Sequence, residues 1–203
     1  MRGFNNYNDI QEFTDIPKLP AGAYEIKLIR AEERKFKNGE ACCLLFDISE
    51  GEYKGYYRQK YEADKKSHEN NPDKFQEAKY KGVYMLFYPN GGQYDETAEK
   101  RYKTAFETIK NSNPQLKVDF SKDWDGKALK DCRVGMIFQD KEWEINGNTG
   151  MTAQPYGLIT LEKLKNGDFK LPDPKYLNGS APTQQSQTSN DFVELDSDDD
   201  LPF

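Results

Sequence analysis

Apolar and polar residues begin to alternate just after Pro20 and Gly22 break the chain. Tyr24, Ile26 and Leu28 are separated by Glu25 and Lys27, and a period of two predicts a half-buried strand. The Asn38-Gly39 pair of "KNGE" follows, and behind it the run "ACCLLFDI". Asn-Gly between two strand-like runs is the strongest short-range hairpin signal. "ACCLLFDI" is apolar on both faces, as in a central strand covered on each side. Gly51 and Gly55 bracket a turn, and "YYRQKY" (56–61) reads as a third strand. Residues 62–82 are polar without clean period, an excursion or a loosely held helix. "VYMLFYP" returns to the core until "NGG" breaks the chain. In "YDETAEKRYKTAFETIKNSNP", Ala98, Tyr102, Ala105, Phe106 and Ile109 fall on one helical face. Acids crowd the start of that helix and Asn113-Pro114 ends it. Residues 119–130 are loop-like. "DCRVGMIF" alternates again, with Cys132, Val134, Met136 and Phe138 on one side, and "WEINGNTG" supplies a second Asn-Gly turn. "YGLITLEKL" reads as a last strand.

Three strands, a helix, then two or three strands joined by hairpins is the element order of an OB-fold, a five-stranded Greek-key barrel with a helix between strands three and four. The expected class is therefore mainly β with one or two helices: an OB-fold-like five-stranded barrel, with insertions at 62–92 and 112–130.

Composition divides the chain. Hydrophobic residues are only 35% and charged residues 32%, yet aromatics reach 13%, enough for a core. The apolar deficit belongs to the end of the chain. Residues 178–190, "NGSAPTQQSQTSN", carry no charge and cannot bury enough apolar surface to offset their ordering entropy, which predicts a flexible linker. From Asp191 onward come six acids and no Lys or Arg. Removing those six from the thirty-five acids leaves twenty-nine, equal to the twenty-nine Lys and Arg. The body is neutral, and the whole excess of −6 sits on the tail. The expected organisation is a folded domain at 1–177, a linker at 178–190 and a disordered, acidic, partner-binding tail at 191–203.

Several function classes lose support. No apolar run approaches the roughly eighteen residues of a membrane span. The opening "MRGFNNYNDIQEF" lacks a signal-peptide core, so a soluble cytoplasmic protein without a membrane partner is expected. Cys42 and Cys43 in "ACCLLF", with Cys132, read as small buried hydrophobes in a reducing compartment. One histidine, His68, and no CxxC pair give no metal-ligand spacing, and no cofactor is expected. There is no P-loop and no histidine beside a credible nucleophile, so the chain reads as non-catalytic.

Cations interleaved with aromatics are what nonspecific single-strand binding needs, phosphates meeting the cations and bases stacking on the rings. "RKFK" (Arg34, Lys35, Phe36, Lys37) lies at the first hairpin, a binding edge of OB-folds. "EYKGYYRQKY" holds Tyr53, Lys54, Tyr56, Tyr57, Arg58, Lys60 and Tyr61. On a strand, Tyr56, Arg58 and Lys60 share the face expected to meet DNA, and Tyr57, Gln59 and Tyr61 share the other. Packing inside a barrel is the competing assignment for these tyrosines. Trp143, close to Lys141 in the late hairpin, is a further stacking candidate; Trp124 is either another or a lid over the core.

The chain ends "DSDDDLPF", with Asp196, Asp198, Asp199 and Asp200 ahead of Leu201, Pro202 and Phe203. This end closely resembles the C-terminal tip of bacterial single-stranded DNA-binding proteins, which finish in aspartates, an aliphatic residue, proline and phenylalanine. Leu201 stands where isoleucine is commonest, and the preceding spacer looks like that family's linker. "LPAGAYEIKLIRAEE" and "PYGLITLEKLKNGDFKLP" look like phage- or prophage-encoded replication and recombination proteins. The resemblance implies a protein that coats single-stranded DNA, a possible homo-oligomer, and recruits replication, recombination or repair proteins through the tip. Physics favours a read-out end as well. An apolar pocket rimmed by Lys or Arg would take the Phe203 ring and pair its terminal carboxylate, whereas a solubility tail gains nothing from Leu-Pro-Phe. The rival expectation is an adaptor or decoy that engages host proteins through the tip without binding DNA.

Overall fold

The alternation at 24–28 opens a long strand, β1 (Gly22–Phe36), which turns back into β2 (Gly39–Ile48) with Phe36 opposite Gly39. These are seen in a computed structural model that describes residues 16–37 and 39–177. Asn38 of the first hairpin, the linker at 178–190 and the tail at 191–203 lie outside the described residues. The elements that follow are α1 (Tyr56–Asn70), β3 (Val83–Phe87), α2 (Asp95–Ser112), β4 (Arg133–Ile145), β5 (Asn148–Ile159) and α3 (Leu161–Asn166). The protein is mainly β. Five antiparallel strands form one sheet in the order β3-β2-β1-β4-β5. Among the described residues no ladder joins β3 to β5, so the sheet has two edges.

β2 is covered on both faces, as its apolar run requires. Cys42, Leu44, Phe46 and Ile48 enter the main core, while Ala41, Cys43 and Leu45 form a small cluster with Val83 on the opposite face. The main core also takes Ile26 and Leu28 from β1 and Val134, Met136 and Phe138 from β4, with Cys132 just ahead of it. Full burial of such side chains contributes roughly 1.5–3 kcal/mol each. All three cysteines are buried and free, and burial pushes the Cys42 thiol up to about 12.

α2 lays Ala105, Phe106 and Ile109 against this core. Trp124 packs on Phe106 and Phe120, with ring centroids 5.3 and 5.1 Å apart, and so lies over the core. Asn113 ends α2 and is itself buried. Its amide donates to the carbonyls of Ile109 and Arg133, both at 2.8 Å, and its Oδ1 accepts from the Arg133 amide at 3.0 Å. One side chain thereby ties the end of α2 to the start of β4. Past it, a short 3-10 turn (Gly126–Leu129) lies against β1, where Gly126 sits so close to the Ala31 carbonyl that a Cβ would clash.

Three expectations are corrected. "YYRQKY" is the first part of α1 rather than a third strand. The helix starts there because the Asp47 carboxylate of β2 accepts from the backbone amides of Tyr57 and Arg58, at 3.0 and 3.1 Å, capping its free N–H groups from outside. The run "YGLITLEKL" holds a strand only to Ile159. Thr160 then caps α3, its Oγ1 accepting from the Lys163 amide, and Gly167 closes it in the left-handed conformation. Among the described residues the α-helices therefore number three rather than one or two.

The second Asn-Gly turn is present. Ile145 pairs with Asn148 across Asn146 and Gly147, both at positive φ (51° and 78°), the geometry of a type I′ hairpin. Beyond β5 the chain returns along the free flank of β4. Lys175 bonds to Asp140 and Glu142 through the backbone, Gln139 Nε2 donates to the Asp173 carbonyl, and the Leu177 amide donates to Glu142 Oε2.

Candidate nucleic-acid interface

Register assigns the outward face of the β1–β2–β3 segment. Arg30, Glu32 and Arg34 of β1 stand opposite Leu45, Cys43 and Ala41 of β2, and these stand opposite Val83, Met85 and Phe87 of β3. Phe36 belongs to the same row, its ring 5.8 Å from that of Phe87. A bulge between Leu28 and Arg30 makes this possible, turning the arginines out after Ile26 and Leu28 have pointed in. The middle strand carries small residues here, so the longer side chains on either side lean over it. Ala41, Cys43 and Leu45 are buried, while Phe36, Met85 and Phe87 remain 39, 47 and 43% exposed. Phe36, Met85 and Phe87 thus form one exposed apolar row on this face.

The cations of this face are held together. Glu32 accepts from Arg30 Nε at 2.9 Å and from Arg34 Nε at 2.6 Å, and both guanidiniums pair with it a second time. Burial alone would raise its carboxyl, but hydrogen bonds from Arg34 and Arg30 outweigh that and hold it below the usual range. Two arginines on one carboxylate leave one net positive charge beside the aromatic patch.

The residues singled out from sequence are thus divided. Arg34 and Phe36 sit on this face. Lys35 points away and pairs with Glu40 at 2.8 Å, a bond that raises its pKa, and Lys37 is exposed at the hairpin. Tyr56 is not available for stacking. It is buried at the start of α1, its hydroxyl accepts from the Leu19 amide, and its ring meets those of Tyr57 and Tyr53 edge-on. Packing is the role the structure gives it. Lys60, one helical turn on, lies 5.8 Å over the Tyr56 ring; Arg58, two residues on, leaves that face, so the shared face of Tyr56, Arg58 and Lys60 does not exist. Tyr53 is half-buried against Tyr24, and Lys54 is exposed in the turn before the helix.

Lys141 and Trp143 lie on the β4–β5 hairpin, beyond the point where β1 stops pairing with β4 at Phe138. Trp143 covers its cross-strand neighbour Gly150, where an added Cβ would meet the indole at 2.6 Å. Burial, with Lys175 adjacent, lowers the pKa of Lys141. No described contact joins either residue to the β1–β3 face.

Sequence reading missed Arg30, Met85 and Phe87. "VYMLFYP" reads as core in the sequence, yet it alternates: Tyr84, Leu86 and Tyr88 pack toward the main core while Val83, Met85 and Phe87 turn out. That alternation was legible. Among the described residues no group of three or more His, Cys, Asp or Glu is arranged to hold a metal ion, and no helix is long and apolar enough to cross a membrane. No family model and no curated protein matches the chain.

Proposed function

We propose that this chain is a non-catalytic single-stranded DNA-binding protein that coats strands in replication, recombination or repair and recruits partner proteins through its C-terminal tip. The observation that carries the reading is the exposed row of Phe36, Met85 and Phe87 with Arg30 and Arg34 along its flank. Such a row offers flat or polarizable surfaces to bases and guanidiniums to the phosphates between them, without hydrogen-bond donors placed to select one base. Strand order supports the same reading. β3-β2-β1-β4-β5 is the order of an OB-fold barrel opened between its third and fifth strands, and strands two and three of that fold form its binding surface.

The tip, Asp196 to Phe203, rests on its sequence alone: acids to steer an encounter, then Leu201, Pro202 and Phe203 to anchor it. A fluorescence titration of the full-length protein with a single-stranded oligonucleotide and with its duplex tests the reading. Preferential binding of the single strand, weakening as salt rises, is expected. Equal binding of duplex, or none of either, refutes it. The neutral body and the arginines tied to Glu32 favour a second reading, an adaptor that uses only its tip; this would leave partner capture intact in the absence of any DNA binding.

A further inference from the structure

The hairpin that carries Trp143 has two flanks, and the chain treats them differently. The flank of β4 beyond Phe138 is sealed by residues 173–177, which bring their own backbone hydrogen bonds. The flank of β5 is open. Among the described residues the β5 backbone bonds only to β4, so along Asn148–Ile159 its outward N–H and C=O groups have no partner among them. Proteins normally blunt such an edge with lysines or other charges, because it is a template for another strand. Here the charges are missing, and only Pro155 and the bulge at Tyr156 blunt the far end of the strand. In a chain that is 32% charged, no Asp, Glu, Lys or Arg occurs from Ile145 to Leu161.

We infer that the edge of β5 pairs with the same edge of a second copy of this chain, giving a two-fold dimer whose sheet runs continuously through both protomers. Charge selects the occupant. A nucleic acid needs cations along its path, and the acidic tail of this chain needs them too; the edge offers neither partner any. An identical uncharged strand meets it without repulsion at any register. Pro155 has no N–H to donate and interrupts the ladder, which confines pairing to Asn148–Gln154. Full overlap of that stretch, antiparallel to its copy, centres the two-fold axis on Met151 and sets Thr152 opposite Gly150 of the copy. Thr152 and its own copy then become diagonal neighbours on one face. Ile145 at the hairpin tip and Tyr156 past the proline, both largely exposed, add apolar surface at either end. One short ladder makes a small interface, so assembly should be reversible rather than permanent. The inference does not depend on DNA binding.

Sedimentation equilibrium of the full chain without DNA tests it. The average mass should rise from 23.5 kDa toward twice that value across the micromolar range and level off there. Thr152→Lys, checked for native circular dichroism, should stay at the single-chain mass, since the lysine and its copy become diagonal neighbours across the axis. Hydrogen exchange gives an independent readout: amides in 148–154 of the native protein should gain protection as concentration rises, and those of β3 should not. A native chain that remains monomeric, one that grows past the dimer without levelling, or a folded lysine variant that associates as strongly as the native chain would each overturn the inference.

Discussion

Phe87→Ala removes a ring that the core does not need and a single strand would. At 43% exposure, the side chain gives up about half of what a fully buried phenylalanine contributes, so truncation should cost roughly 1–2 kcal/mol of stability. That is a minor part of the 5–15 kcal/mol typical of a folded domain, and the variant should remain native. If a base stacks on the ring, binding loses on the order of 1–3 kcal/mol, a fall in affinity of roughly 5- to 150-fold. Tyr56→Ala supplies the contrast. Buried at the head of α1, it should destabilise the body by about 3 kcal/mol or more and affect DNA only through unfolding. Oligonucleotide quenching at fixed salt, with circular dichroism on the same samples, separates the two. Because the Phe36 and Phe87 rings lie 5.8 Å apart, the double variant should fall short of the sum of the two single losses if both rings hold one base. A folded Phe87→Ala protein that binds as well as the native one refutes the assignment of this face.

Glu32→Gln should free Arg30 and Arg34, raising single-strand affinity and steepening the salt dependence by up to about 0.7 in log–log slope. Glu32's lowered pKa contributes stability above the ordinary carboxylate range that is lost as pH falls through the lowered value, so the variant's stability should depend less on acid pH. Asn113→Ala strands the Ile109 and Arg133 backbone groups and should cost about 2–4 kcal/mol, a melting temperature lower by roughly 5–15 °C; an unchanged melt would contradict the bridging role. Removing residues 191–203 should raise DNA affinity at low salt, with the gain shrinking as ions screen the six acids, and weaker binding would refute competition by the tail. Deleting Phe203, or adding a residue after it, should abolish capture of a tip-reading repair or replication protein in a pull-down and leave DNA binding intact.

Local pattern made much of the fold legible. The β1–β2 and β4–β5 hairpins followed from period two and Asn-Gly turns, and α2 from a clean apolar face. A helix was among the readings of 62–82, but the start of α1 at Tyr56 was missed because it depends on Asp47, a residue of the preceding strand brought back by the fold, while two adjacent tyrosines imitate a strand. The end of β5 was misread although Thr160 and Gly167 are ordinary helix boundaries in the sequence. Arg34 and Phe36 of the candidate face were visible in "RKFK". The rest needed the register, since only pairing shows that Phe87 falls two strands away from Arg34 with small Ala41 between them.

The return of residues 173–177 along β4 has a mechanical consequence. Tension applied to the chain beyond Leu177 reaches the body first through the hydrogen bonds at Asp173, Lys175 and Leu177. A pull along the β4 axis loads these bonds together, whereas a pull across it opens them one at a time, beginning at Leu177. The exit therefore acts as a directional clasp: it holds against traction toward the hairpin tip and unzips under sideways traction. The direction from which the tail is pulled, rather than the force alone, would decide how much slack the chain yields.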